Sequence, residues 1–74
     1  MKSRIRELLL NKYGEDKILL GCEIVTSWVS HEIKDERFSQ DDVFLLIDGK
    51  QMTEPVAEAL RKLFGLKNMA DLFY

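Results

Sequence analysis

Apolar residues recur at intervals of three and four along most of this chain, which is the spacing of helices that bury one face. The pattern predicts a first helix over roughly residues 3–13, with Ser3 as its cap and Gly14 as its stop. It predicts a second helix over roughly 15–23 and a third over 27–35, separated by the polar pair Thr26 and Ser27. Either hydroxyl can accept the free amide hydrogens of a new helix, so the pair is interpreted as a turn.

A fourth helix is predicted over roughly residues 40–47, because Ser39 and Asp42 have the spacing of a capping box. Five consecutive apolar residues, Val43 to Ile47, would also suit a strand, but the capping signal favours a helix. One helix face cannot bury all five, and a second copy of the chain could cover the remainder. We therefore expect a homo-oligomer.

The last predicted helix begins at Thr53, carries Pro55 in its first turn and ends at Gly65. The tail after it places Met69 and Leu72 at helical spacing, enough for one or two further turns. These patterns predict an all-α fold over residues 1–74, a single domain formed by a small bundle of four to five short helices.

Composition is that of an ordinary globular chain, with 74 residues, 46% hydrophobic and 32% charged. The single cysteine cannot form an internal disulfide, and there is no charged and then apolar leader, so we expect a cytoplasmic protein. The longest apolar runs are far shorter than the ~20 residues that span a bilayer, so no membrane partner is expected.

Residues with catalytic or metal-binding chemistry are sparse. Cys22 and His31 are the only soft or imidazole ligands, and two ligands cannot complete a four-ligand metal site. No enclosed carboxylate pair, phosphate-cradling loop or dinucleotide fingerprint is present. We therefore expect no enzyme activity, no cofactor, no metal and no small-molecule substrate.

Residues 15–35 have the length and the apolar pattern of a helix-turn-helix, a motif that offers its second helix to a DNA groove. Its inner positions are all apolar: Ile18, Cys22, Ile24 and Val29. Three positions depart from it, because the motif expects an alanine, a turn glycine and an apolar residue where the chain has Leu19, Glu23 and Glu32. The prediction is a degenerate helix-turn-helix.

The predicted DNA-binding residues lie on the second helix of this motif and just after it: Thr26, Ser27, Trp28, His31, Lys34 and Arg37. Hydroxyls suit phosphates, while an imidazole and an amine suit base edges or the backbone. Each also has a plain structural interpretation. Trp28 can be a lid over Leu19 and Leu20, His31 a bystander, and the two cations solubilising groups. A formal net charge of −2 opposes general attraction to nucleic acid.

Four segments carry a resemblance to a known family: ELLLNKYG, WVSHEIK, FSQDDVFLLIDG and TEPVAEALRKL. In this order they resemble the small phage regulators of the lambda CII type and, more loosely, the Cro-like repressors. The resemblance spans most of the chain. It implies a transcriptional regulator that reads a short site on double-stranded DNA and assembles as a dimer or tetramer through its C-terminal helices. It also places Trp28, Val29 and Ser30 at family positions in the recognition helix.

A second register and a second class of function stay open. FSQDDVFLLIDGKQMTEPVAEALRKLFG also looks like the antitoxin-type helix-turn-helix proteins, which would make residues 39–48 the recognition helix. Its face would be Gln40, Asp41 and Phe44, and acidic residues facing phosphates are unfavourable. Alternatively, the chain is a small acidic protein-interaction module, an inhibitor or adaptor that uses the same scaffold without DNA.

Overall fold

Four α-helices form the scaffold, which a computed structural model describes over residues 2–50 and 52–74. The helices are α1 (Ile5–Tyr13), α2 (Ile18–Ile33), α3 (Gln40–Ile47) and α4 (Glu54–Phe64), with 3-10 turns at Glu15–Lys17 and Met69–Leu72. Over the described ranges the only β pairing is an isolated bridge between Ser3 and Phe73. The predicted all-α fold, a small bundle of short helices, is confirmed.

The predicted turn at Thr26 and Ser27 is wrong, because α2 runs through this pair without interruption for 16 residues. The Thr26 hydroxyl donates a hydrogen bond to the Cys22 carbonyl, 2.7 Å away, as threonines inside a helix commonly do. It therefore caps no new helix. The separate helices over 15–23 and 27–35 are one element, and the helix-turn-helix predicted for residues 15–35 is not formed.

The true end of α2 is at Lys34, whose φ of 56° places it in the left-handed region. The backbone amide of Lys34 donates to the His31 carbonyl, and the amide of Asp35 donates to the Ser30 carbonyl. This is the type of closure that helices normally make with glycine or asparagine. Lysine rarely adopts a positive φ, so its presence in the sequence did not predict that a helix ends here.

α2 is the central element, because α1, α3 and α4 all pack against it. The largest fully buried side chains come from every helix and from the C-terminal turn: Ile5, Leu9, Val25, Val29, Val43, Leu46, Leu60 and Leu72. At the crossing of α1 and α2, a Cβ on Gly21 would lie 2.7 Å from Cδ2 of Tyr13. Glycine is therefore what allows α1 to approach α2 so closely.

The predicted ends of α3 and α4 agree with the structure. The Ser39 amide donates to the Asp42 carboxylate at 2.9 Å, completing the capping box of α3. α4 has Pro55 in its first turn and ends at Gly65, which adopts a left-handed conformation. The apolar block over 43–47 is helical, and the alternative that it forms a strand is wrong.

The two ends of the chain are tied together. The Arg4 amide donates to the Leu72 carbonyl at 2.7 Å, and the Tyr74 amide donates to the Lys2 carbonyl at 3.2 Å. The Tyr74 hydroxyl donates to the carboxylate of Glu7 at 2.8 Å. The Ser3 hydroxyl accepts a hydrogen bond from the Ile5 amide at 3.0 Å. The N-cap residue of α1 is nevertheless Arg4, so the predicted cap at Ser3 is wrong and the helix begins two residues later than predicted.

Candidate functional site

Two of the predicted DNA-binding residues have structural roles. Thr26 is half-buried, and its hydroxyl donates its hydrogen bond to a backbone carbonyl within α2. Trp28 is also half-buried, and its indole Nε1 donates to the Ala59 carbonyl of α4 at 2.7 Å. The ring therefore fastens α2 to α4. It does not shield Leu19 and Leu20, which are 70% and 50% exposed, so the predicted lid over those two residues is wrong.

Three other predicted residues lie together at the C-terminal end of α2. Ser27, His31 and Lys34 are exposed and line one open groove of about 570 Å³. Its remaining lining residues are Ser30, Glu32 and Glu36. The two carboxylates place negative charge in the groove beside Lys34, so its electrostatic character is mixed. A surface that binds phosphates is normally dominated by cations.

Arg37 lies apart from this groove. Its guanidinium forms an ion pair with Asp35 at 3.2 Å, and its amide donates to the same carboxylate oxygen. It lines a different open depression of about 430 Å³, together with Ile33, Phe38 and Thr53 among others. The structure therefore does not bring the six predicted residues to one site.

The outer face of α2 carries apolar side chains that the motif interpretation misplaced. Ile24 was predicted to be an inner residue, yet it is 36% exposed, whereas its neighbour Val25 is completely buried. Because successive residues on a helix are separated by about 100°, a continuous α2 with Val25 and Val29 inside must turn Leu20 and Ile24 outward. Continuing the helical period across Thr26 would have revealed this face in the sequence.

A shallow depression of about 320 Å³ continues this face toward the C-terminal end of α2. It is lined by Ile24, Ser27, Trp28 and His31. We call the exposed and half-buried residues along this side the outer α2 face: Leu20, Glu23, Ile24, Ser27, Trp28, Ser30, His31 and Lys34. It combines an apolar strip with a polar edge on a single rigid element.

Most shifted pKa values have a cause in hydrogen bonds or ion pairs between neighbouring side chains; one such group, Asp35, lines the depression beside Arg37, and hydrogen bonds from Arg37 lower its pKa. Hydrogen bonds from Arg4, and then from Tyr74, lower the pKa of Glu7, and the hydrogen bond from Arg61 lowers the pKa of Glu58. Burial raises the pKa of the Cys22 thiol, which disfavours the reactive thiolate. Over residues 2–50 and 52–74, no three side chains of the kinds that hold metal ions are grouped together.

In the second proposed register both predicted helices are present, but the charge of the proposed recognition helix is unfavourable for DNA. α3 and α4 have the predicted lengths, and Gln40, Asp41 and Phe44 are all exposed on α3. However, the first turn of α3 carries both Asp41 and Asp42. Acids there stabilise the N-terminus of the helix but repel phosphate groups.

Comparison with protein-family models, with curated proteins and with solved structures finds no match for this chain. The resemblance to phage regulators therefore stays a prediction. Among the helices of the described residues, none has the length and apolar character needed to cross a membrane.

Proposed function

We propose that this protein is a small interaction module that binds another protein through the outer α2 face. The observation that carries the proposal is the exposure of Leu20 and Ile24 in the first half of a 16-residue helix whose opposite face is buried. Covering apolar side chains is favourable by roughly 25 cal/mol for each Å² removed from water. Apolar anchors repeated at helical spacing are also a recurring mode of helix recognition between proteins.

The surface is held in place before any partner arrives. Val25 and Val29 anchor the inner side of α2 in the core, each with no exposed surface. The hydrogen bond from Trp28 to α4 fixes the C-terminal half of the same helix. A rigid surface loses little conformational entropy on binding, which favours affinity from a small contact area.

Charge favours a protein partner over DNA. A regulator that used Ser27, His31 and Lys34 would bring Glu32 and Glu36 to the same phosphates, since these carboxylates line the same groove. The chain as a whole has a net charge of −2. Neutralising phosphates supplies most non-specific DNA affinity. In addition, α2 is continuous over residues 18–33, so it lacks the turn that would present a separate second helix to a DNA groove.

Site-specific photo-crosslinking in cells tests the proposal. A photoreactive residue replaces Leu20 on the outer α2 face or, as the matched control, Lys67 on an exposed loop. We expect a discrete protein adduct from position 20 only, and we expect Ile24→Glu in the same chain to remove it. Adducts of equal yield at both positions, or adducts that persist with Ile24→Glu, would contradict a binding role for this face.

A DNA titration decides the competing hypothesis. Fluorescence anisotropy with mixed genomic DNA fragments is measured at low and moderate salt, using the wild-type chain, His31→Ala and Lys34→Ala. We expect no saturable binding at low salt. Saturable binding that either substitution weakens would instead favour a DNA-binding regulator and overturn the proposal.

A further inference from the structure

The outer α2 face has two flanks of different chemistry on either side of Ser27. Leu20, Ile24, Trp28 and His31 follow one another at intervals of four, four and three, so they form a mainly apolar flank. Glu23, Ser30 and Lys34 are separated by seven and four, so they form a polar flank. Along the polar flank the acid lies toward the N-terminus of α2 and the base at its C-terminal end.

Resting on the proposed function, we infer that the partner of this face is a second copy of the chain, with the two α2 helices packed antiparallel. A two-fold axis perpendicular to two antiparallel helices brings each flank against the same flank of the other copy, in reverse order. With the axis near Ser27, Glu23 lies opposite the segment from Ser30 to Lys34 of the second copy. The acid and the base therefore meet twice, once at each end of the interface.

The apolar flank is matched by the same operation. Leu20 and Ile24 of one copy lie opposite Trp28 and His31 of the other, where the shallow depression lies beside Ile24. Leu20 and Ile24 of each copy thus cover the shallow depression of the other copy. A parallel pair, whose two-fold axis runs along the helices, would instead place the polar flank of each copy against the apolar flank of the other. Glu23 and Lys34 would then face no opposite charge, and polar groups would cover Leu20 and Ile24.

Ser27 suits the position on the axis. It is exposed, and its short side chain lets two helix backbones approach at the 8–10 Å typical of packed helices. Glu32 and Glu36 border the C-terminal end of the face and partly offset Lys34. A standard interface takes about 800 Å² from each partner, roughly one sixth of the 4980 Å² surface of this chain. One helix face provides less, so the dimer should be weak and its population should depend on concentration.

Sedimentation velocity over a wide concentration range tests the inference with charge-exchange variants of the full chain. We expect the wild type to dimerise, and Glu23→Lys or Lys34→Glu alone to weaken dimerisation by roughly three- to tenfold, since symmetry repeats each repulsion. The double exchange Glu23→Lys with Lys34→Glu should restore dimerisation. Lys67→Glu, outside the face, is the control and should match the wild type.

The possible outcomes separate the dimer from the proposed function. A wild type that stays monomeric at every concentration overturns the inference, and so do single variants that dimerise like the wild type. A double exchange no better than the single variants overturns the antiparallel pairing. If the chain stays monomeric while position 20 still crosslinks to a different protein, the proposed function stands and only the second copy is excluded. Circular dichroism on each variant verifies folding, which exposed substitutions should preserve.

Discussion

Replacing Ser27 by proline separates one continuous helix from two helices divided by a turn. If Thr26 capped a new helix, residue 27 would be its first helical residue, where proline is well tolerated. In α2, however, residue 27 lies well inside a 16-residue helix. The helical pattern assigns its amide to the carbonyl of Glu23, and proline would remove that hydrogen bond and clash with that carbonyl.

The cost of this substitution can be assigned to the backbone alone. Ser27 is exposed, and its side chain contributes nothing to the buried core. Proline inside a helix costs about 3 kcal/mol or more. A domain of 74 residues has a total stability of roughly 4–11 kcal/mol, so Ser27→Pro should remove a large fraction of it.

Urea unfolding followed by far-ultraviolet circular dichroism measures the loss. Ser27→Ala is the matched control, because it removes the same hydroxyl and should change stability by only about 0.5 kcal/mol, in the stabilising direction. Both variants are compared at several protein concentrations, which separates any contribution of self-association. A free energy of unfolding for Ser27→Pro within about 1 kcal/mol of the alanine variant would refute the continuous helix.

Three further predictions concern contacts that hold α2 and the chain ends. Trp28→Phe keeps an aromatic side chain but loses the nitrogen-containing ring and its hydrogen bond to the Ala59 carbonyl, so urea unfolding should show a loss of about 1 kcal/mol or more. Gly21→Ala should lower the melting temperature despite its better helix propensity, because the new Cβ meets the Tyr13 ring, and a double variant with Tyr13→Ala should show a compensating interaction in a double-mutant cycle. Glu7 has a lowered pKa in the folded state, so its contribution to stability is present above its unfolded pKa and is lost as pH falls through the folded value. Glu7→Gln should therefore flatten the decline of the melting temperature on acidification.

The second half of the fold could be predicted from the sequence because its signals are local. Ser39 and Asp42, three residues apart, each accept a backbone amide hydrogen bond from the other at the start of α3. Pro55 and Gly65 mark the ends of α4 through backbone geometry that depends little on distant contacts. These positions fixed the bounds of both helices before any tertiary contact was known.

The segment over residues 15–35 could not be predicted in the same way, because a threonine hydroxyl can form either of two local hydrogen bonds. It can accept an amide and begin a helix, or it can donate to the carbonyl four residues earlier and remain inside one. The choice at Thr26 depends on the burial of Val25 and Val29 against the other helices, which a linear sequence does not display. The segment lacks proline, and its one glycine, Gly21, lies away from the expected turn.

The candidate site suffered from the same ambiguity. Placing a turn at Thr26 and Ser27 interrupted the helical period, so Ile24 was assigned to the inside and Trp28 to a DNA-facing surface. With the phase kept continuous, Ile24 turns outward and Trp28 reaches α4. The sequence did place three residues together correctly: Ser27, His31 and Lys34 line one groove. Their spacing of four and three falls within the predicted third helix and, in the structure, within α2 and its C-terminal cap residue.

In a continuous α2, the residues that stabilise the fold and the residues proposed to bind a partner lie on opposite sides of the same helix. Val25 and Val29 are buried in the core, whereas Leu20, Ile24 and Ser27 are exposed. Ile24 and Val25 are neighbours in sequence with opposite surroundings. Truncating Val25 should therefore unfold part of the bundle and abolish any interaction indirectly, while charging Ile24 should abolish the interaction in a chain that remains folded. A surface that can be inactivated without loss of the fold is what distinguishes a binding face from an incompletely buried core.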